Sequence, residues 1–187
     1  MRSKSFSGLA VMLVTILTVG LTSASAADYP QRPITLICPW GAGGGTDAVS
    51  RIIATLLKKE LGVPVNVVNR TGGSGAVGHT AMATAKPDGY TIGMPTVEIT
   101  MMHWMGLTEI TYKDMTPVAM VNFDPAGINV LAKSPWKTYK DLENHIRENP
   151  GQLKDSGTGQ GGIWHLAMAG WMKAIGLPPD AIKWIPK

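Results

Sequence analysis

Ile34-Thr35-Leu36-Ile37-Cys38 runs into a turn containing Gly41, Gly43, Gly44 and Gly45, and then into an apolar-periodic stretch that ends at Leu61. No other stretch restricts the fold as strongly. The first five residues read as a strand buried on both faces, because apolar and β-branched residues follow one another without alternation. Val49, Ile52, Ile53, Leu56, Leu57 and Leu61 then recur at the spacing of one buried helical face. Thr46 or Asp47 can cap that helix by accepting a hydrogen bond from a first-turn amide. Glycines let the backbone approach a guest, and the first-turn N–H groups lack helical acceptors. Strand, glycine loop and helix N-terminus together make a place for an anion.

The theme repeats along the chain. Gly62 and Pro64 stop the helix, and residues 65–69 (VNVVN) read as a second strand. The turn Arg70-Thr71-Gly72-Gly73-Ser74-Gly75 leads into a small-residue helix over 76–85. Lys86-Pro87-Asp88-Gly89 is a turn by composition, residues 90–94 a third strand, and residues 95–100 the loop after it. Strands alternating with helices imply an α/β unit with a parallel sheet and right-handed crossovers. Ligands of such sheets sit at the carboxyl ends of the strands. Loops 39–46, 70–75 and 95–100 all lie on that edge.

From residue 111 the pattern changes. Residues 116–123 and 128–132 read as strands on either side of Asp124-Pro125-Ala126-Gly127, where a domain crossover is placed. Thr138 caps a helix over 139–148. Residues 153–156 then lead into Gly157-Thr158-Gly159-Gln160-Gly161-Gly162 and a helix over 163–175, and residues 182–186 begin another strand.

Residues 1–26 carry Arg2 and Lys4, an apolar run over 9–21 and the small-x-small pattern Ala24-Ser25-Ala26, the layout of a secretory signal peptide cut after Ala26 or Ala27. The chain holds 17 Lys+Arg against 13 Asp+Glu, and removing the leader leaves fifteen against thirteen. So small and scattered an excess gives no footprint for nucleic acid and no polybasic stripe for membranes. Cys38 is the sole cysteine, which excludes an internal disulfide and suits a small buried residue.

Rival chemistries find less support. Gly43-Gly44-Gly45-Thr46-Asp47-Ala48 fits G-x-G-x-x-A, and Gly73-Ser74-Gly75-Ala76-Val77-Gly78 fits G-x-G-x-x-G with Glu98 about twenty residues on. Export argues against a nicotinamide cofactor, and no Lys-Ser or Lys-Thr follows the glycines as a P-loop requires. Gly72-Gly73-Ser74-Gly75-Ala76 lacks the final glycine of a nucleophile elbow. His79, His103, His145 and His165 have no metal-ligand spacing. His79 and His145 read as surface residues of helices. Trp104, Trp136 and Trp184 read as packing residues, Trp171 as core, and residues 101–105 (MMHWM) as core. No cofactor is implied.

Three features together resemble the periplasmic receptors of the tripartite tricarboxylate transporter, or Bug, family. They are Pro39-Trp40-Gly41-Ala42-Gly43-Gly44-Gly45-Thr46-Asp47, then Asn69-Arg70 with its glycine turn, then Ala85-Lys86-Pro87-Asp88-Gly89-Tyr90-Thr91. Ser156-Gly157-Thr158-Gly159 with His165 is similar to the family's second-domain motif. The resemblance implies an α/β fold of the periplasmic-binding-protein type II, a two-lobed Venus flytrap with parallel-rich sheets. Lobe 1 would span 27–124 and lobe 2 125–187, the second lobe incomplete because family members continue past Lys187. It implies no enzymatic activity.

Such a receptor holds a small carboxylate (a di- or tricarboxylate, an aromatic acid or an amino acid) and passes it to a membrane permease, working as a monomer when full length. The residues implied in binding are Trp40, Gly43, Gly44, Gly45, Thr46, Asp47, Gly73, Ser74, Gly75 and Thr96 from lobe 1. Lobe 2 supplies Ser156, Gly157, Thr158, Gln160 and His165. Trp40-Gly41-Ala42 replaces the family's proline-rich turn and makes a bulkier wall, or one that stacks on a ligand. Asp47 also reads as a helix cap alone, and His165 as a packed polar residue. The competing readings are an exported hydrolase using Ser74 or Ser156, and a truncated remnant that binds nothing.

Overall fold

The computed structural model describes residues 29–186; the leader and its cleavage point lie outside them. Strands β1 (Ile34–Cys38), β2 (Val65–Asn69) and β3 (Thr91–Gly93) form one parallel sheet in the order β2-β1-β3. Ile34 pairs with Val65 and Cys38 with Asn69, while Thr35 pairs with Thr91 on the other side. The central position of β1 explains its unbroken apolar run: Ile34, Leu36, Ile37 and Cys38 are all buried.

Helix α1 (Gly45–Leu61) covers one face of this sheet, setting Val49, Ile53 and Ala54 against Leu36, Val65, Val67, Ile92 and Met94. Gly62 ends it in the left-handed region (φ 72°), its N–H donating to the Lys58 carbonyl. Ile52 and Leu56 do not join the buried face; they are 60% and 53% exposed. They flank the Val49–Ile53 stripe, and the sheet is too narrow to reach them. Helix α2 (Ala76–Ala83) is two residues shorter than its composition implies. It lies tight against the strand ends because Gly78 has no side chain: a Cβ there would sit 2.5 Å from Pro39 Cα and 2.6 Å from the Arg70 carbonyl oxygen.

A second parallel sheet pairs β4 (Lys154–Gly157) with β5 (Lys183–Pro186). Helices α3 (Tyr139–Glu148) and α4 (Ile163–Ala174) pack there around Leu142, Ile146, Met168, Met172, Ala181 and Ile182. Trp136, Trp171 and Trp184 border this core as packing residues. Thr138 caps α3 as its sequence implies: its hydroxyl accepts from the Asp141 amide, and the Asp141 carboxylate accepts from the Thr138 amide.

Residues 116–123 and 128–132 do not form strands. Val118, Met120 and Phe123 are 95%, 84% and 81% exposed. Strand propensity becomes a strand only when a neighbouring edge supplies hydrogen bonds, and no edge among the described residues meets this segment. Trp104 is likewise exposed rather than packed, standing edge-on to His103, while Met102 nearby is fully buried. No helix of the described residues is long and apolar enough to cross a membrane.

Candidate functional site

The three loops at the carboxyl ends of β1, β2 and β3 meet. In the first, Gly43 adopts φ 83° and Gly44 is the N-cap of α1, with no side-chain cap. Thr46 and Asp47 are therefore not caps; they stand inside the first turn. Asp47 reaches backwards, its carboxylate accepting from the Gly43 amide at 2.9 Å, from Arg51 Nε at 2.9 Å and from Asn69 Nδ2 at 2.9 Å. The Arg51 guanidinium first, then the Gly43 amide and Asn69, hold this carboxyl far below the usual carboxylate range. Asn69 Nδ2 also donates to the Trp40 carbonyl at 2.8 Å, so one amide clamps both ends of the glycine loop. The loop is thus fixed with the amides of Gly45, Thr46 and Asp47 lacking helical acceptors.

Trp40 crosses to the third loop, its indole N–H donating to Thr96 Oγ1 at 3.1 Å. Gly75, at φ 92°, lies beneath that indole; a Cβ on it would come 3.2 Å from the Trp40 ring and 3.3 Å from His79 Nδ1. The Thr96 hydroxyl in turn donates to the Glu98 carboxylate. His79 is wholly buried, against the expectation of a surface position, and Glu98 is nearly so. The reason lies in packing: Gly75 and Gly78 draw the helix so close that the face carrying His79 is sealed by the third loop. His145 is also half-buried, its ring 5.0 Å from that of Trp136.

The remaining residues approach from the second sheet. Ser74, held in the left-handed region at φ 53°, donates its hydroxyl to the Gln160 carbonyl at 3.3 Å. Gly73 takes φ 56° beside it. Gly159 rests directly on the Ser74 side chain. Gly157 lies under Trp184 and Trp164, and the His165 ring lies against that of Trp184, centroids 5.2 Å apart and planes tilted by 38°. His165 Nδ1 accepts from the Gly161 amide at 3.1 Å. The Thr158 hydroxyl is buried without a hydrogen-bond partner. Ser156 is exposed on β4, its amide donating to the Asp155 carboxylate next to it.

Trp40, Gly75 and Thr96 therefore form one contact set and Ser74 and Gln160 a second, while Gly157 and His165 each lie against Trp184. Arg51 and His79 are structural partners that the chain's motifs do not announce, while Asn69 and Glu98 appear in those motifs without the partners they hold here. The described residues hold no group of three metal-ligating side chains.

A profile of the tripartite tricarboxylate transporter family receptor matches residues 49–184. A UPF0065 protein of Bordetella pertussis is 32% identical over 176 residues, covering 93% of this chain and 54% of that one. A TctC solute-binding protein from Polaromonas, solved without ligand, superposes with a TM-score of 0.60 at 38% identity, covering 85% of this chain and 54% of its own. MatC from Rhodopseudomonas palustris, solved with bound malate, shares the fold at a TM-score of 0.66 and 23% identity, with 85% and 54% covered. The chain spans about half the length of the curated relatives it matches. A profile match through both sheets, on a fold these receptors share, means that the chain belongs to the tripartite tricarboxylate transporter receptor family.

Proposed function

We propose that this chain is part of an exported solute receptor that binds a small carboxylate-bearing metabolite and delivers it to a tripartite-type membrane permease. In this reading the three-stranded sheet belongs to lobe 1 (27–124) and the two-stranded sheet to lobe 2 (125–187), with the solute between them in the periplasm. The observation that carries it is the convergence of the β1, β2 and β3 loops, with the first turn of α1 offering amides that have no helical acceptor. Amide and helix-end donors of this kind stabilise an anion by about 0.3–1 kcal/mol each when exposed, and more where lobe closure excludes water. The malate held by MatC is the kind of ligand such a neutral donor set suits. The Thr158 hydroxyl would add a donor from the other side.

The hydrolase reading fits less well. Ser74 donates to a main-chain carbonyl, not to a histidine, and both nitrogens of His79 face main-chain groups. A serine nucleophile needs a base within hydrogen-bond reach.

Calorimetric titration with malate, adipate, an aromatic acid, an amino acid, a nucleotide and a sugar tests the proposal. Heat with at least one carboxylate, and none with its methyl ester, is the expected result. Heat only with the nucleotide or the sugar would end the carboxylate reading.

A further inference from the structure

Beneath the three converging loops lies a buried polar cluster that amide donors to a solute do not themselves require. His79 is 0% exposed and Glu98 4%. Placing two titratable side chains in a small sheet's interior is costly unless each polar atom is satisfied. Here the satisfaction is specific. Nδ1 of His79 lies 2.8 Å from the Gly75 carbonyl, which can only accept, so Nδ1 carries the proton. Nε2 lies 3.0 Å from the Thr96 amide, which can only donate, so Nε2 presents a lone pair. The ring is therefore a neutral imidazole joining the turn after β2 to the loop after β3. Thr96 continues the chain of bonds, its hydroxyl accepting from the Trp40 indole and donating to Glu98.

We propose that His79 is a positioning residue for the pocket: its neutral ring fixes the distance between the Gly75 turn and the Thr96 loop, and through Thr96 the attitude of the Trp40 indole. What the loops hold rests on the carboxylate-receptor reading; the network does not.

The device has a built-in proton sensitivity. A second proton on the ring would set an N–H at Nε2 against the N–H of Thr96, and that bond must break. Burial lowers the readiness of His79 to take the proton, while the Gly75 carbonyl and the Glu98 carboxylate favour it. Glu98, on the loop after β3, is the charged group whose field reaches the ring; the β1 loop contributes the uncharged Trp40 and the β2 turn the uncharged Gly75. A charged imidazole would turn toward Glu98 and pull Thr96 away from Trp40. Glutamine at position 79 offers one donor and one acceptor and does not titrate. Leucine offers neither.

The test uses the whole chain, labelled with nitrogen-15, with malate and adipate as probes. As the pH is lowered from 8, the Thr96 amide and the Trp40 indole resonances should shift together with one midpoint on the acid side of the ordinary histidine value of 6.5, where burial places the ring, and His79→Gln should abolish that shift. For the probe that binds, His79→Gln should keep affinity within about threefold at pH 7.5 and flatten its loss at acid pH, whereas His79→Leu should weaken it about tenfold. Should His79→Leu not fold, the glutamine arm decides. Unmoved Thr96 and Trp40 resonances, or an acid loss in His79→Gln equal to that of the parent, would overturn the proposal. If neither probe binds the parent chain at any pH, the receptor reading is what suffers, and the ligand-free resonances still judge His79.

Discussion

Ser74 and Gly159 stand in direct contact, eighty-five positions apart in the chain, with the Ser74 hydroxyl donating to the neighbouring Gln160 carbonyl at 3.3 Å. The glycine turn after β2 therefore meets the glycine loop after β4 through the small Ser74 side chain.

Gly159→Ala drives a methyl group into the Ser74 hydroxyl. Ser74 must swing its hydroxyl off the Gln160 carbonyl, and its Cβ, 3.2 Å from the added methyl, must yield slightly, so the link between the loops loosens and carboxylate affinity is expected to fall about threefold with the melting temperature little changed. Ser74→Gly in the same chain makes room again, at a position whose left-handed φ of 53° favours glycine, and should restore most of the affinity. Calorimetry on the single and double variants checks this; equal affinities in parent and single variant would remove the contact from the pocket.

Asp47 gives the glycine loop a pH dependence. Its carboxyl titrates well below its ordinary value of 3.8, chiefly because Arg51, the Gly43 amide and Asn69 favour the charged form. A depressed carboxyl stabilises the fold above the unfolded value, and that stabilisation is lost as pH falls from there through the folded one. The melting temperature of the parent should thus drop more steeply below about pH 4 than that of Asp47→Asn, which starts lower at pH 7. Parallel curves would mean that the carboxylate does not hold the loop.

Gly78 is where packing tolerates least. A methyl there meets the Pro39 backbone and the Arg70 carbonyl at 2.5 and 2.6 Å, and neither is the flexible end of a side chain. Gly78→Ala should cost about 2–4 kcal/mol in urea unfolding. Gly93→Ala has as its nearest neighbours atoms of the flexible Met82 side chain and should cost less.

The leader makes its own prediction. Mass spectrometry of protein recovered from the periplasm of an expressing bacterium should give a chain beginning at Ala27 or Asp28. A mass retaining Met1 would contradict export by cleavage.

Most of the architecture could be read from local pattern. The β1–α1–β2 unit, the α3 cap and the β4–α4 junction each declare themselves in a continuous stretch of chain through apolar period, glycine and Thr138. Residues 116–132 misled because an apolar β-rich run records a capacity to pair, and no strand edge among the described residues meets it. His79 misled for a related reason: two glycines four and one positions before it, Gly75 and Gly78, decide its burial, and their meaning depends on which backbone comes close. Asn69 was visible only as part of a motif; the two hydrogen bonds its amide donates to Trp40 and Asp47 need the parallel register of β1 and β2.

The central claim is that amides at the strand-to-helix junctions, without a cationic side chain, hold one carboxylate. Amide chemical shifts of the nitrogen-15 chain, titrated with the dicarboxylate that gives calorimetric heat, test it most directly. The account predicts that Gly45, Thr46, Asp47 and Thr96 move together, joined by Thr158, along one saturating curve. Saturable binding that leaves those five amides in place and moves only residues around exposed lysines and arginines would contradict it.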